Sequence, residues 1–401
     1  MQRRVRTQKP PLLRKSILVC AIFTGIAGLI FISFGNDKEI VRSDIPVPRQ
    51  YSDSTITKNA KVADTAFAHI GFAPTPVRKE NSQLASIIES VSLLFNSTER
   101  HAQSEKEHGT WIWTPILQMT PAYIDHIIIN AKKEGINVLY VSIDSYLDIF
   151  ALSKYPERKQ EMLQKEKQFT DTLSYLIRQA RRNGIDVDAE AGWRNWAQTG
   201  HTYKAYAIVD YVQKFNKTQP YKFRGFQYDV EPYLLDEYKI DKEAVLKEFI
   251  SLVEDTRYAL DESQLAFSVV IPEFFDGADG LTPKFVYNSR YGYTIDHLLS
   301  VLREKENTSI IIMAYRNFAL GKDGSIDISK KEVRLADRRR YSTNIIIAQE
   351  TGDVLPPYIT FHNSTKEHLR SEVAKINEAF GDNKSFGGIA VHYVNAFLAL
   401  K

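Results

Sequence analysis

The sequence predicts an α/β chain whose main domain is a (β/α)8 TIM barrel, preceded by an N-terminal transmembrane helix. Eight short β-branched or apolar runs recur from residue 110 onward, amphipathic segments separate them, and an uncharged run of nineteen residues lies near the start. Continuous apolar strands are buried on both faces, and their alternation with helices calls for a parallel sheet. Eight such units between residues 110 and 401 suit a closed barrel. A doubly wound open sheet is the alternative, but no Gly-x-Gly-x-x-Gly follows the first strand and no Walker loop occurs.

The N-terminus is read first. A basic tail (1–15) carries Arg3, Arg4, Arg6, Lys9, Arg14 and Lys15 ahead of the uncharged run 16–34, long enough to cross a bilayer. The positive-inside bias puts the tail in the cytoplasm and everything after Asn36 outside, in a single-pass arrangement. A cleaved signal peptide is the other reading of this run, although a clean small-x-small site is lacking. Cys20, the one cysteine, lies inside it, so no intrachain disulfide is possible. Residues 35–83 are polar and proline-bearing, as a spacer would be, and 84–109 read as a helical lead-in.

The expected strands are 110–115, 136–144, 185–193, 223–231, 265–273, 309–316, 344–351 and 386–393. Seven segments between them, starting at Tyr123, Phe169, Lys204, Lys242, Thr294, Lys330 and Thr365, repeat apolar residues three and four apart. Gly135 and Gly184 stand where helix-ending glycines are expected. With 52 basic and 49 acidic side chains the net charge is only +3, and no basic stripe interleaved with aromatics appears beyond the N-terminus, which argues against a nucleic-acid partner. Protein partners are left open. Five Asn-x-Ser/Thr sequons, at Asn96, Asn216, Asn307, Asn363 and Asn383, matter only in a eukaryotic secretory pathway.

In a barrel of this kind the site lies at the C-terminal strand ends. There the fourth strand offers Asp229 and Glu231, which share parity and precede Pro232. A lone pair of this kind is also what a solvated rim or a buried ion pair looks like. Other strand ends add Asp144, Asp188, Glu190, Glu273, Tyr315, Arg316, Glu350 and His392, and aromatics gather beside them: Trp193, Trp196, Tyr233, Phe274, Phe275, Phe318 and Tyr393. Aromatic faces with carboxylates in one groove suit a sugar, which offers apolar C–H faces and hydroxyl edges. No His-Glu-x-x-His, Cys-x-x-Cys or Gly-x-Ser-x-Gly occurs, so neither a metal nor a cofactor is called for.

The stretch "RGFQYDVE" resembles the fourth-strand signature Asp-Gly-x-Asp-x-Asp-x-Glu of glycoside hydrolase family eighteen, the chitinases and endo-N-acetylglucosaminidases. Gly225, Asp229 and Glu231 match; Arg224 and Gln227 stand in place of the first two aspartates. "IMAYR" is similar to the family's Met-x-Tyr-Asp through Met313 and Tyr315, with Arg316 for the Asp, and "GGIAVHY" to its final Gly-Gly motif, with His392 or Tyr393 near the family's tryptophan. The resemblance implies a glycosidase for a polysaccharide containing N-acetylhexosamine. Glu231 would be the general acid, Asp229 and Tyr315 would hold the substrate's acetamido group, and that group would be the nucleophile. Trp193, Trp196, Gln227, Tyr233, Glu273, Arg316, His392 and Tyr393 are the expected substrate contacts. Two alternatives stay open: a retaining glycosidase pairing Glu231 with Glu350 as nucleophile, and a barrel that binds glycan without cutting it.

Overall fold

A computed structural model describes residues 106–401. The tail, the expected membrane-spanning run 16–34, the spacer and the lead-in up to residue 105 lie outside the described residues. Within them no helix is long and apolar enough to cross a membrane.

The strands are β1 (Glu107–Ile112), β2 (Val138–Ser142), β3 (Asp186–Ala191), β4 (Gly225–Tyr228), β5 (Ala266–Pro272), β6 (Phe285–Tyr287), β7 (Arg290–Gly292), β8 (Thr308–Met313), β9 (Asn344–Glu350) and β10 (Phe386–His392). All but β6 and β7 form one closed parallel barrel in the cyclic order β1-β2-β3-β4-β5-β8-β9-β10. The open doubly wound sheet is therefore not the fold. β6 and β7 make a separate antiparallel hairpin whose turn residues, Asn288 and Ser289, have φ of 46° and 59°, the left-handed pair that a two-residue hairpin turn needs.

Helices follow most strands: α1 (Pro121–Lys133), α2 (Tyr146–Ala151), α3 (Lys159–Arg182), α4 (Thr202–Thr218), α5 (Asp236–Ile240), α6 (Lys242–Ala259), α7 (Thr294–Leu302), α8 (Ser325–Arg339), α9 (Lys366–Phe380) and α10 (Val394–Ala399). Local chemistry sets their ends. Thr120 caps α1 ahead of Pro121, Asp241 caps α6 through the Ala244 N–H, and Thr365 caps α9 through the His368 N–H. Gly135 and Gly184, after α1 and α3, have φ of 75° and 72°, which glycine adopts without a Cβ penalty.

The alternation of each barrel strand splits the core in two. One parity faces the helices, where Leu139, Ala189, Phe226, Phe267, Ile310 and Ile347 meet the apolar stripes of the surrounding helices. The other faces inward, where Trp111, Tyr140, Val270, Ile311, Met313, Ile346 and Ala390 fill the barrel. β1 starts at Glu107, so Glu107–Gly109 belong to the barrel rather than to the lead-in. Elsewhere the expected strands are trimmed at their C-terminal ends, because those residues leave the ladder to build the rim.

Asp188, expected at the rim, instead lies lower in the interior. There Arg224 grips it through Nε (2.9 Å) and Nη2 (2.5 Å) while Nη1 reaches Glu107 Oε2 (2.8 Å), and the Tyr140 hydroxyl donates to the other Glu107 oxygen. Arg224→Met would leave two interior carboxylates without their cation, at a cost of about 3–5 kcal/mol. Urea unfolding of the purified protein checks this; a midpoint unchanged from wild type would mean that the network is dispensable.

Candidate active site at the barrel rim

The inward parity of β4 carries Gln227 and, beyond the strand, Asp229 and Glu231. Gln227 is 0% exposed, accepts from Trp111 Nε1 at 2.7 Å and donates to Ser268 Oγ at 3.3 Å. It is thus a buried spacer beneath the site rather than a substrate contact. The Asp229 N–H still bonds the Ala191 carbonyl (3.2 Å), which holds the chain beside β3 as it leaves the sheet. Gly192 is required there: a Cβ on it would lie 2.0 Å from the Asp229 carbonyl oxygen.

Burial is the main influence on both carboxylates. It pushes Asp229 up to about 8, with the Glu231 and Asp144 charges adding and His392 opposing. Glu231 is also raised by burial, opposed by the hydroxyl of Tyr233, which donates to its Oε1, and by the charges of His392 and Arg194. Asp144, following β2, is raised by burial to about 7 against the Gly192 N–H that it accepts at 3.2 Å. Glu190 on β3, 1% exposed, is raised well above the ordinary range by burial and then by Asp144 and Asp229.

Across the mouth stands a second group. The buried Tyr315, just past β8, has its ring 6.1 Å from that of His392, and burial with the surrounding carboxylates keeps its phenol neutral. His392 Nδ1 lies 2.7 Å from Glu350 Oε2, and Trp113 Nε1 donates to His392 Nε2 at 2.9 Å. An indole N–H only donates, so Nε2 must accept and the ring proton is on Nδ1. Burial opposes a second proton on this ring, and the nearby carboxylates, Glu350 first, favour it more strongly; taking it up at Nε2 gives up the Trp113 bond.

Glu350 departs from expectation. It is 1% exposed, its Oε1 accepts from the Thr351 and Gly352 N–H groups (2.8 and 2.6 Å), and its Oε2 is taken by His392. A carboxylate with both oxygens engaged is an anchor for the imidazole, not a free nucleophile.

Trp196 is also corrected: at 2% exposed it packs in the layer between strands and helices, out of a substrate's reach. Trp193 remains half-buried, with the Arg194 guanidinium 5.4 Å from its ring centre. Tyr233 meets Phe274 edge-on at 5.3 Å, and Tyr393 meets His392 at 5.2 Å. Arg316 turns back on the protein, donating to the Tyr315 carbonyl (2.8 Å) and to Asp323 (2.7 Å), with Glu273 at 3.7 Å. It buttresses Tyr315. Sequence reasoning passed over Trp111 and Trp113, although their shared parity at the end of the first strand was the available signal.

A cleft of about 400 Å³ opens on the outer face beside the hairpin, lined by Glu254, Arg257, Arg290, His297 and Arg303 among others. Two of its arginines are paired, Arg257 with Asp261 and Arg303 with Glu304, and Arg290 donates to the Ser300 hydroxyl. Among the described residues no group of three or more His, Cys, Asp or Glu is arranged to hold a metal ion.

No family model matches the chain, and no curated protein matches it. Among solved structures it is similar to an endo-1,4-beta-mannanase from Rhizomucor miehei, at 11% identity and TM-score 0.43 over 72% of this chain and 86% of that one. It is similar also to a beta-mannanase from the blue mussel Mytilus edulis (11%, 0.44, 73% and 89%). A D-psicose 3-epimerase from Clostridium cellulolyticum H10 with D-tagatose stands at the same level (13%, 0.41, 72% and 84%). Similarity of this degree carries no argument about chemistry.

The raised carboxyls set a sign for stability against pH. Each holds its proton more tightly folded than unfolded, so each contribution is complete near its unfolded value of about 4 and is lost as pH rises through the folded value, about 7 for Asp144 and about 8 for Asp229. The raised His392 acts in the same direction. Thermal unfolding is therefore expected to show a midpoint that falls from about pH 5 to about pH 9. Asp144→Asn should flatten that fall, recovering on the order of 1–2 kcal/mol at the alkaline end; a slope identical to wild type would remove Asp144 from the account.

Proposed function

We propose that the barrel is a glycoside hydrolase acting on a polysaccharide that contains N-acetylhexosamine, with the substrate's acetamido group as nucleophile. The observation that carries this reading is the pair Asp229 and Glu231 on one side of the mouth, both raised by burial, facing Tyr315 and His392. Two coupled carboxyls of this kind share protons near neutral pH, as a general acid beside an orienting carboxylate requires.

In this reading Glu231 gives its proton to the glycosidic oxygen as the C1–O bond breaks. The acetamido oxygen attacks C1, Asp229 accepts a hydrogen bond from the acetamido N–H, and the neutral Tyr315 hydroxyl donates to the acetamido oxygen. Water then opens the cyclic intermediate, returning a proton to Glu231. The retaining alternative is disfavoured by the engaged oxygens of Glu350. The resemblance to glycoside hydrolase family eighteen and the half-buried Trp193, Tyr233 and Tyr393 around the mouth support a sugar ligand. The N-terminal run 16–34 completes the proposal as an anchor that holds the barrel outside the membrane.

A panel of soluble N-acetylated and plain hexose polymers tests it. Wild type should cleave only the N-acetylated ones, and Glu231→Gln should lower turnover by about 10²–10⁴-fold while aryl glycosides with acidic leaving groups, which need no proton, lose less. Cleavage of plain hexose polymers would move the nucleophile to a protein carboxylate. Binding without cleavage of any polymer would favour the non-catalytic barrel.

A further inference from the structure

Glu190 and Glu350 are equally buried, at 1% exposed, but their oxygens are served differently. Both Glu350 oxygens have donors, whereas Glu190 Oε2 has none and neither does Asp229 Oδ1. An interior carboxylate oxygen without a donor is costly if charged, and the reaction above gives Glu190 no task.

The barrel register explains where it sits. Glu190 pairs with Ser142 on β2 and with Gln227 on β4. Asp144 and Asp229 each follow those partners by two residues, and so share their inward parity. Three carboxylates from three adjacent strands therefore converge, one a step below the other two. The Gly192 N–H that reaches Asp144, and the closeness of Gly192 to the Asp229 backbone, hold the three chain exits together.

Counter-charge is scarce at this point. Arg224 is committed to Asp188 and Glu107 lower in the barrel, while Arg194 acts on Glu231 and His392 on both Asp229 and Glu231. The groups that act on the Glu190 charge are Asp144, Asp229 and the Ser142 hydroxyl, none of them a cation. Like charges so arranged cannot all ionise.

We infer that Glu190, flanked by Asp144, is a positioning residue that shares a proton with Asp229. The pair holds one proton between its two carboxyls: it lies on Glu190 while Asp229, ionised, accepts the substrate's N–H, and it is divided between the two again once the product has left; no other bond changes. The catalytic use of this proton rests on the function proposed above, but the sharing itself does not.

Carbon-13 carboxyl NMR of aspartate-labelled protein, with the Asp229 signal assigned through Asp229→Asn, reads the sharing without turnover. Coupling to Glu231 alone gives Asp229 two steps; in wild type Glu190 should add a further, upper one, which Glu190→Gln should abolish. Asp144→Asn, which keeps Glu190, should retain that upper step. An Asp229 curve unchanged by Glu190→Gln overturns the inference. If that variant does not fold, glutamate-labelled Asp229→Asn reads the same coupling from the other side: loss of the upper step from a second glutamate besides Glu231, whose signal is assigned through Glu231→Gln, supports it, and a loss confined to Glu231 overturns it. A lost upper step supports the shared proton whether or not any glycan is cleaved, and failure to cleave counts against the hydrolase reading alone.

Discussion

The interior of a closed eight-stranded barrel is too narrow for water to solvate the charges on its inward-facing residues, so every ionisable group there needs a protein partner or a proton. The lower interior of this barrel uses partners: Arg224 neutralises Asp188 and Glu107 in one network. Nearer the mouth, where Trp111 and Met313 line the interior, the carboxyls keep protons instead. The interior is thus divided vertically between paired carboxylates below and protonated carboxyls at the mouth.

The last strand settles the opposite wall. His392 is held from both sides, by Glu350 at Nδ1 and by Trp113 at Nε2, and Tyr315 lies against its ring. Glu350 in turn is fixed by two backbone N–H groups of the segment that follows β9. Each contact removes a rotamer from the next side chain, so the phenol of Tyr315 faces the carboxylates from a rigid support. Arg316 completes that support by holding the Tyr315 carbonyl.

Much of this was legible in the sequence because both signals depend on parity and period. Strands buried on both faces show as apolar runs, and a same-parity Asp-x-Glu before a proline shows as a rim motif whatever lies around it. The first ten residues of α3, from Lys159, were not read as helix because they are polar and largely solvent-facing, with almost no apolar stripe to mark them. The hairpin of β6 and β7 escaped because its strands are three residues long and its turn is Asn-Ser instead of Asn-Gly. The misjudged site residues share one cause. Trp196, Gln227 and Glu350 have the right chemistry, but burial and hydrogen-bond saturation are tertiary facts with no local signature.

The departures from the family pattern now take on a different weight. Read along one strand, Arg224 and Gln227 subtract two carboxylates and suggest a disabled site. Around the barrel, each replacement has a defined load, Arg224 on Asp188 and Gln227 between Trp111 and Ser268, so neither intrudes on Asp229 or Glu231. The subtracted acidity is matched by Asp144 and Glu190 from the adjacent strands, at the level where register brings them to Asp229. A proton-sharing cluster depends on distance and burial rather than on which strand supplies its members. The barrel therefore gathers carboxyls from three adjacent strands about Asp229 although its fourth strand carries only part of the motif it resembles.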